Sequence, residues 1–385
     1  MSSKNSICDE RLCTACGACL NICKKEAIKF NLDKFERTIA YIDKDKCVNC
    51  GLCKQVCPMN CDIKLNTPQK CYAALSKSDE YKKKCASGGL ASELAKYVIA
   101  NGGIYYAVRF DDEFNLRFDS TENEDEILSF SGSKYVQADT GFIYRDIKDK
   151  LNSNRLVLFT GTPCQVAGLK NYLGKDIENL ITVDLICHGV PPMQYLKEHA
   201  KTVVSTTVAA ASFRGEHNFQ MAFYNKSRDV VYKKPSKEDV YFSAFLEGVI
   251  HRSNCYQCNF ATEKRVSDIT IGDFWGLDKS TLKESYDGRI SVVLVNTDKG
   301  DKVVECLQSK IIIEERSIAE AIKNNGQLQH PSKKHPDRSE FEHKYLKYGF
   351  EKAADTKNIR NIRNKYRNKN RVVKVKRFLK TMLGR

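Results

Sequence analysis

Two copies of one cysteine spacing stand near the start of the chain. The first is Cys13-x-x-Cys16-Gly-x-Cys19-x-x-x-Cys23, and the second is Cys47-x-x-Cys50-Gly-x-Cys53-x-x-x-Cys57-Pro58. Three thiolates at this spacing wrap a loop around one face of a cubane iron–sulfur cluster, and a fourth ligand must arrive from elsewhere. Gly17 and Gly51 fall where a tight loop needs a residue without Cβ. The bland alternatives fit less well. Zinc needs only four ligands, usually in well-separated pairs. Disulfides need an oxidising compartment, and no secretory leader is evident at the start.

The two repeats resemble the bacterial two-cluster ferredoxin domain over roughly residues 6 to 62. The resemblance implies an α+β, ferredoxin-like module in which each repeat lends its last cysteine to the other cluster. Cys13, Cys16, Cys19 and Cys57 would then hold one 4Fe-4S cluster, and Cys47, Cys50, Cys53 and Cys23 the other. Between the repeats, Ile28, Phe30, Ile39 and Tyr41 suggest a short hairpin over 27–42. Lys24 departs from the family, which places proline after the fourth cysteine.

The chain has 385 residues, too many for such a module alone, and 42% of them are hydrophobic, enough for a real core. No stretch reaches the apolar length of a membrane span. Seventeen cysteines without an export signal point to a reducing cytoplasm. The net charge of +15 is concentrated in the tail, where Glu351 to Arg385 holds thirteen Lys and Arg against two acids. Ile359, Ile362 and Tyr366 recur there at near-helical spacing. Residues 351–385 therefore read as a basic tail, helical or disordered. As an amphipathic helix it would suit an anionic membrane surface or an acidic partner. A solvated tail is the plain alternative, and specific nucleic-acid binding is not expected.

After a polar connector (63–84), the pattern turns to alternating helices and strands. Leu90–Ala100 and Gln165–Leu173 have helical spacing. Ile104–Phe110, Arg155–Phe159, Ile181–Ile186, Ile269–Gly272 and Ser291–Asn296 read as strands. An α/β domain over 85–350 with a mostly parallel sheet is expected. Cys164 and Cys187 stand just past strand ends, where open α/β sheets build their sites. With Cys255 and Cys258 they could supply four ligands to a third cubane. Half a zinc site, a dithiol pair or plain buried cysteines remain open on spacing alone.

The wording of these segments resembles the beta-subunit family of coenzyme F420 hydrogenases and dehydrogenases. The matches are Ser87-Gly88-Gly89, Gly132-Ser133-Lys134-Tyr135-Val136-Gln137, Gly161-Thr162-Pro163-Cys164-Gln165, Asp184-Leu185-Ile186-Cys187-His188-Gly189-Val190-Pro191, Cys255-Tyr256-x-Cys258 and Ser267 to Gly276. The resemblance implies an oxidoreductase with FAD beside one 4Fe-4S cluster held by Cys164, Cys187, Cys255 and Cys258. No G-x-G-x-x-G follows a strand, so the flavin would not be held in the Rossmann manner. Ser87, Gly88, Gly89, Gly161 and Thr162 precede helices and could receive a phosphate, although ordinary capping explains them as well. Lys134, with Ser133, could meet the pyrophosphate. Gly189 and Asp273 would complete the pocket, with Trp275 shaping it or merely filling core. His188 is the candidate catalytic proton carrier, or a structural imidazole. Arg214, His217, Tyr232 and the loop at Lys264-Arg265 could help shape a pocket by position alone, and Cys85 is the remaining thiol to examine for reactivity.

The expected function is electron transfer between three 4Fe-4S clusters and FAD, to or from a two-electron substrate. A redox protein or a small electron donor would be the partner. An F420H2-oxidising subunit of a larger complex, and a non-enzymatic cluster adaptor without flavin, are the alternatives.

Overall fold

The computed structural model describes residues 6–215, 218–283, 286 and 288–382. His217 lies outside the described residues. Strands β1 (Ile28–Leu32) and β2 (Thr38–Ile42) form the antiparallel hairpin between the cysteine repeats, with Ile28 opposite Ile42. Ile28 and Ala40 turn inward onto Ile7, Cys13, Cys19 and Cys57. This small core is largely sulfur, because the repeats leave few aliphatic side chains to bury.

β3 (Lys70–Ser76), β4 (Ile104–Phe110), β5 (Leu116–Thr121), β6 (Val157–Gly161) and β7 (Leu180–Leu185) follow. β8 (Ala210–Arg214), β9 (Phe219–Tyr224) and β10 (Val230–Pro235) make a separate antiparallel sheet. β11 (Ile269–Asp273), β12 (Ser291–Val295) and β13 (Ile311–Arg316) complete the main sheet, whose order is β13-β3-β12-β11-β7-β6-β4-β5. The central run β11-β7-β6-β4 is parallel. Antiparallel pairs flank it on both sides, so the sheet is mixed rather than uniformly parallel.

Val157 to Gly161 and Ser291 to Val295 are buried throughout, as strands covered on both faces must be. The helices Leu90–Ala100 and Asp298–Cys306 cover one face. Ile143–Asn152 and Pro163–Leu173 cover the other. The stretch read as a connector, 63–84, contains β3, which sits between β12 and β13 with Ala74 fully buried. Its short, small-residue run Cys-Tyr-Ala-Ala-Leu carries little periodic signal, and only pairing on both edges makes it a strand.

The ferredoxin-like region packs on that second face through the helix Ala18–Ile22. The Asn21 amide donates to Gly141 O at 2.9 Å. The Arg145 guanidinium donates to the carbonyls of Asn21, Leu20 and Cys23. The buried Tyr144 hydroxyl faces the carbonyls of Cys16 (2.7 Å) and Gln165 (2.8 Å), tying the first cysteine loop to the helix that begins beside Cys164.

At the other end, Arg338–Tyr348, Phe350–Ala354 and Lys357–Met382 are helical. In the last, Ile359 is buried, Arg363 pairs with Asp355 at 2.6 Å, and Asn370 donates to Glu238. No helix among the described residues is long and apolar enough to cross a membrane.

Candidate functional site

Within the N-terminal region the cysteines fall into two sets. Cys19 lies in electrostatic reach of Cys16, Cys13 and Cys57, and less strongly of Cys53, and the first three line a small cavity with it, Ala15, Ala18 and Ala40. Cys53 is likewise coupled to Cys23, Cys47 and Cys50. Each set therefore draws its fourth member from the other repeat. Gly17, at φ +86°, has Thr140 so close that a Cβ there would lie 2.2 Å from its hydroxyl, so the loop needs glycine for both conformation and space.

A third set forms where the second face of the sheet meets this region. Cys164, on the first turn of its helix, interacts with Cys258, Cys187 and Cys16, and Cys187 with Cys255 and Cys258. Desolvation pushes Cys16 and Cys187 up to about 12 and Cys255 to about 11. As free thiols they stay protonated, and coordination is what would deprotonate them. Among the described residues, no three His, Cys, Asp or Glu side chains are grouped closely enough to hold a metal ion as a single centre.

Beside the third set opens a cavity of about 390 Å³, within the range of small-molecule sites. Of the residues expected to touch a cofactor, Ser87, Gly89, Ser133, Lys134, Gly161, Thr162, Gly189 and Asp273 line it, together with Cys164, Cys187 and His188. Gly88 does not. It packs on β3, where a Cβ would lie 2.5 Å from Ala74 O, and its N–H donates to Ser291.

The Lys134 amine donates to Phe130 O (2.6 Å) and Ser131 O (2.8 Å), and burial lowers its pKa to about 7. The Thr162 N–H donates to the Gln165 side chain at 2.9 Å, so capping does occupy this helix start. His188 is open to the cavity near Asp273 and Arg214, and its surroundings lower its pKa by desolvation. Ser332 donates to the His188 carbonyl.

At the cavity mouth Arg214 pairs with Asp273, donates to Tyr135 at 3.1 Å and lies 3.9 Å above the Phe219 ring. Trp275 stacks on Phe219 and is 38% exposed, so it belongs to the cavity wall and not to the core.

Other expectations are corrected. Arg265 is fully buried, pairing with Asp184 at 2.9 Å beneath the Cys187 turn, and does not line this cavity. Tyr232 donates to Asp239, away from the site. Cys85 does line the cavity, but burial raises its pKa, the opposite of a reactive thiolate.

Two residues escaped sequence reasoning. Cys8 joins the first set, hydrogen-bonding to Cys13 and Cys57, which burial and those bonds make a firmly protonated thiol. Arg252, three residues before Cys255, is buried between the first and third sets. Proximity in sequence to a candidate ligand was the one available signal for each.

Comparison with known proteins gives this arrangement a family. Residues 71–141 match the profile of the coenzyme F420 hydrogenase/dehydrogenase beta subunit N-terminal part, and 154–321 that of its C-terminal part. Residues 12–61 match a 4Fe-4S dicluster domain. The chain is 27% identical over 173 residues to a coenzyme F420-dependent sulfite reductase of Methanocaldococcus jannaschii, covering 43% of this chain and 26% of that protein. It is 24% identical over 208 residues to an uncharacterised protein of the same organism, covering 45% and 56%. It thus spans between about a quarter and just over half the length of these curated relatives. A chain of the F420-reducing NiFe hydrogenase complex from Methanosarcina barkeri superposes with a TM-score of 0.46 at 17% identity, over 69% of this chain and 93% of that one. The chain belongs to the coenzyme F420 hydrogenase/dehydrogenase beta-subunit family of oxidoreductases and carries a 4Fe-4S dicluster domain at its N-terminal end.

Proposed function

We propose that the chain is an iron–sulfur flavoprotein oxidoreductase with three 4Fe-4S clusters and one FAD. Cys13, Cys16, Cys19 and Cys57 hold the first cluster, Cys47, Cys50, Cys53 and Cys23 the second, and Cys164, Cys187, Cys255 and Cys258 the third. The observation that carries the reading is the convergence of four cysteines from three separate segments, two of which, Cys164 and Cys187, line the 390 Å³ cavity. A flavin bound there would supply the exchange between hydride pairs and single electrons. Ser87, Gly89 and Lys134 are the cavity groups suited to its phosphates, because N–H groups and an enclosed amine favour an anion. Asp273, Arg214 and Trp275 flank the space left for a two-electron substrate, and His188 faces it as the proton carrier.

Iron, sulfide and acid-released flavin are measured after strictly anaerobic purification. About twelve irons and one FAD per chain are expected, from three cubanes and one flavin. About eight irons and no flavin, persisting after reconstitution with iron, sulfide and FAD, would overturn the flavoenzyme and favour an adaptor. Cys164→Ala is expected to remove one cluster's iron and leave the ferredoxin-type signals intact.

The family and the sulfite-reductase relative favour a second reading, oxidation of reduced F420 as the input to a larger complex. Loss of the reduced deazaflavin on mixing with the holoprotein and an electron acceptor supports it. No change would leave another organic substrate as the two-electron partner.

A further inference from the structure

Among the described residues three arginines are fully buried, and two have conventional partners: Arg265 pairs with Asp184 and Arg338 with Glu342, each at 2.9 Å. Arg252, 2% exposed, has no carboxylate partner among the described residues. Its guanidinium donates to four neutral oxygens: Cys13 O and Thr38 O at 2.8 Å, Asn254 Oδ1 at 3.2 Å, and Gln137 Oε1.

A buried ion without a counter-charge is strongly destabilising. Arginine cannot escape that cost by releasing its proton. Neutral acceptors satisfy the N–H groups but leave the charge uncompensated. The groups within reach that would carry negative charge once coordinated are the sulfurs of Cys13, Cys255 and Cys164, which belong to the first and third cysteine sets. The backbone is built to hold the charge there. One N–H lies on the carbonyl of Cys13, Cys255 N–H donates to Arg252 O at 3.0 Å, and Asn254 links the guanidinium to Cys255 Sγ at 3.7 Å. A cubane ligated by four thiolates is an anion, and net charge is one of the terms that sets its potential.

We propose that Arg252 is a positioning residue that serves as the shared counter-charge of the first and third clusters, and that it raises both reduction potentials. The inference rests on the three-cluster reading above. A cation favours the more negative, one-electron-reduced state of each cluster, with no bond made and no proton moved. The second cluster's cysteines are not among the groups that Arg252 meets, so it serves as an internal control.

The test is an EPR-monitored redox titration of the anaerobically purified full chain, comparing wild type with Arg252→Gln and Arg252→Lys. In the glutamine variant, two of three clusters are expected to show at least a tenfold lower reduced-to-oxidised ratio at a fixed poise, about 59 mV for a one-electron couple. The lysine variant, which keeps the charge, is expected to stay near wild type. Should Arg252→Gln fail to accumulate folded, Gln137→Glu carries the test. It leaves the guanidinium in place and neutralises it, so the same two potentials should fall.

Three clusters with unmoved potentials, or an equal shift of all three, would overturn the counter-charge. A lysine variant that shifts as far as the glutamine variant would overturn it too, by showing that hydrogen bonding is what matters. A wild type with only two clusters would overturn the three-cluster reading itself, which its iron content reports separately from any potential.

Discussion

Lys134 holds its amine against the carbonyls of Phe130, Ser131 and Gly132, at the cavity wall, with burial bringing its pKa from 10.5 to about 7. An amine in that state is only partly charged near neutrality, and an arriving anion would pull its proton on. Lys134→Met keeps most of the volume and removes the charge. On the flavoprotein reading proposed above, FAD affinity, followed by fluorescence quenching on the apo-flavin protein, is expected to fall at least tenfold, about 1.4 kcal/mol, with iron content unchanged. The sign with pH is fixed by the depressed pKa: wild-type affinity should weaken as pH rises through about 7, and the methionine variant should be flat there. Among the nine residues expected to touch a cofactor, sequence motifs found Lys134 and seven others on the cavity wall. They misplaced Gly88 because consecutive glycines look alike in sequence, while only one of this pair faces the cavity. Cys8 and Arg252 were not legible because neither belongs to a repeat. Their positions follow from the fold that carries them to cysteines of other segments.

Two elements meet closely where the helix Pro163–Leu173 crosses the first cysteine loop. Gly168 lies mid-helix, where alanine is intrinsically better by about 1 kcal/mol. A Cβ there would, however, lie 2.8 Å from Cys16 Sγ and 3.0 Å from its Cβ. Overpacking costs about 1–3 kcal/mol, and more when the displaced group is fixed. Tyr144 holds Cys16 by its carbonyl, and the Tyr144 hydroxyl would itself lie 3.3 Å from the same Cβ, so the clash should win. Gly168→Ala is expected to lower the unfolding midpoint and to perturb the first cluster's EPR signal, leaving the second unchanged. A raised midpoint with wild-type spectra would show that the loop is free to shift. The helices and strands of the parallel run were readable because each is a continuous apolar or periodic segment between glycine turns. β3 was not, since its residues become a strand only by pairing with β12 and β13, more than two hundred residues later.

The molecule as a whole is closed by a buried brace far from the cysteines. His199, 1% exposed, places Nε2 2.8 Å from Asp239 and Nδ1 2.8 Å from Glu351, with the Tyr232 hydroxyl also on Asp239. Four segments meet there: the helices Met193–Val203, Val240–Leu246 and Phe350–Ala354, and β10. Desolvation alone would lower the imidazole pKa, but the two carboxylates outweigh it and raise it from 6.5 to about 9. His199 is therefore a cation in the folded state at neutral pH. Its contribution is fully present below pH 6.5, where folded and unfolded chains both hold the proton, and it is lost as pH rises through about 9. His199→Gln leaves Asp239 buried without its cation, which should cost about 3 kcal/mol at low pH. The brace reaches the site, because Val240–Leu246 carries Tyr241, whose hydroxyl donates to Tyr135 O at 2.7 Å, and Phe245 of the cavity wall. Urea unfolding at matched cluster content, at pH 6, 8 and 10, should show the advantage of wild type over His199→Gln already reduced by about half at pH 8 and gone by pH 10. A constant difference across that range would mean that the imidazole packs there uncharged and that the carboxylates, not the histidine, carry the proton.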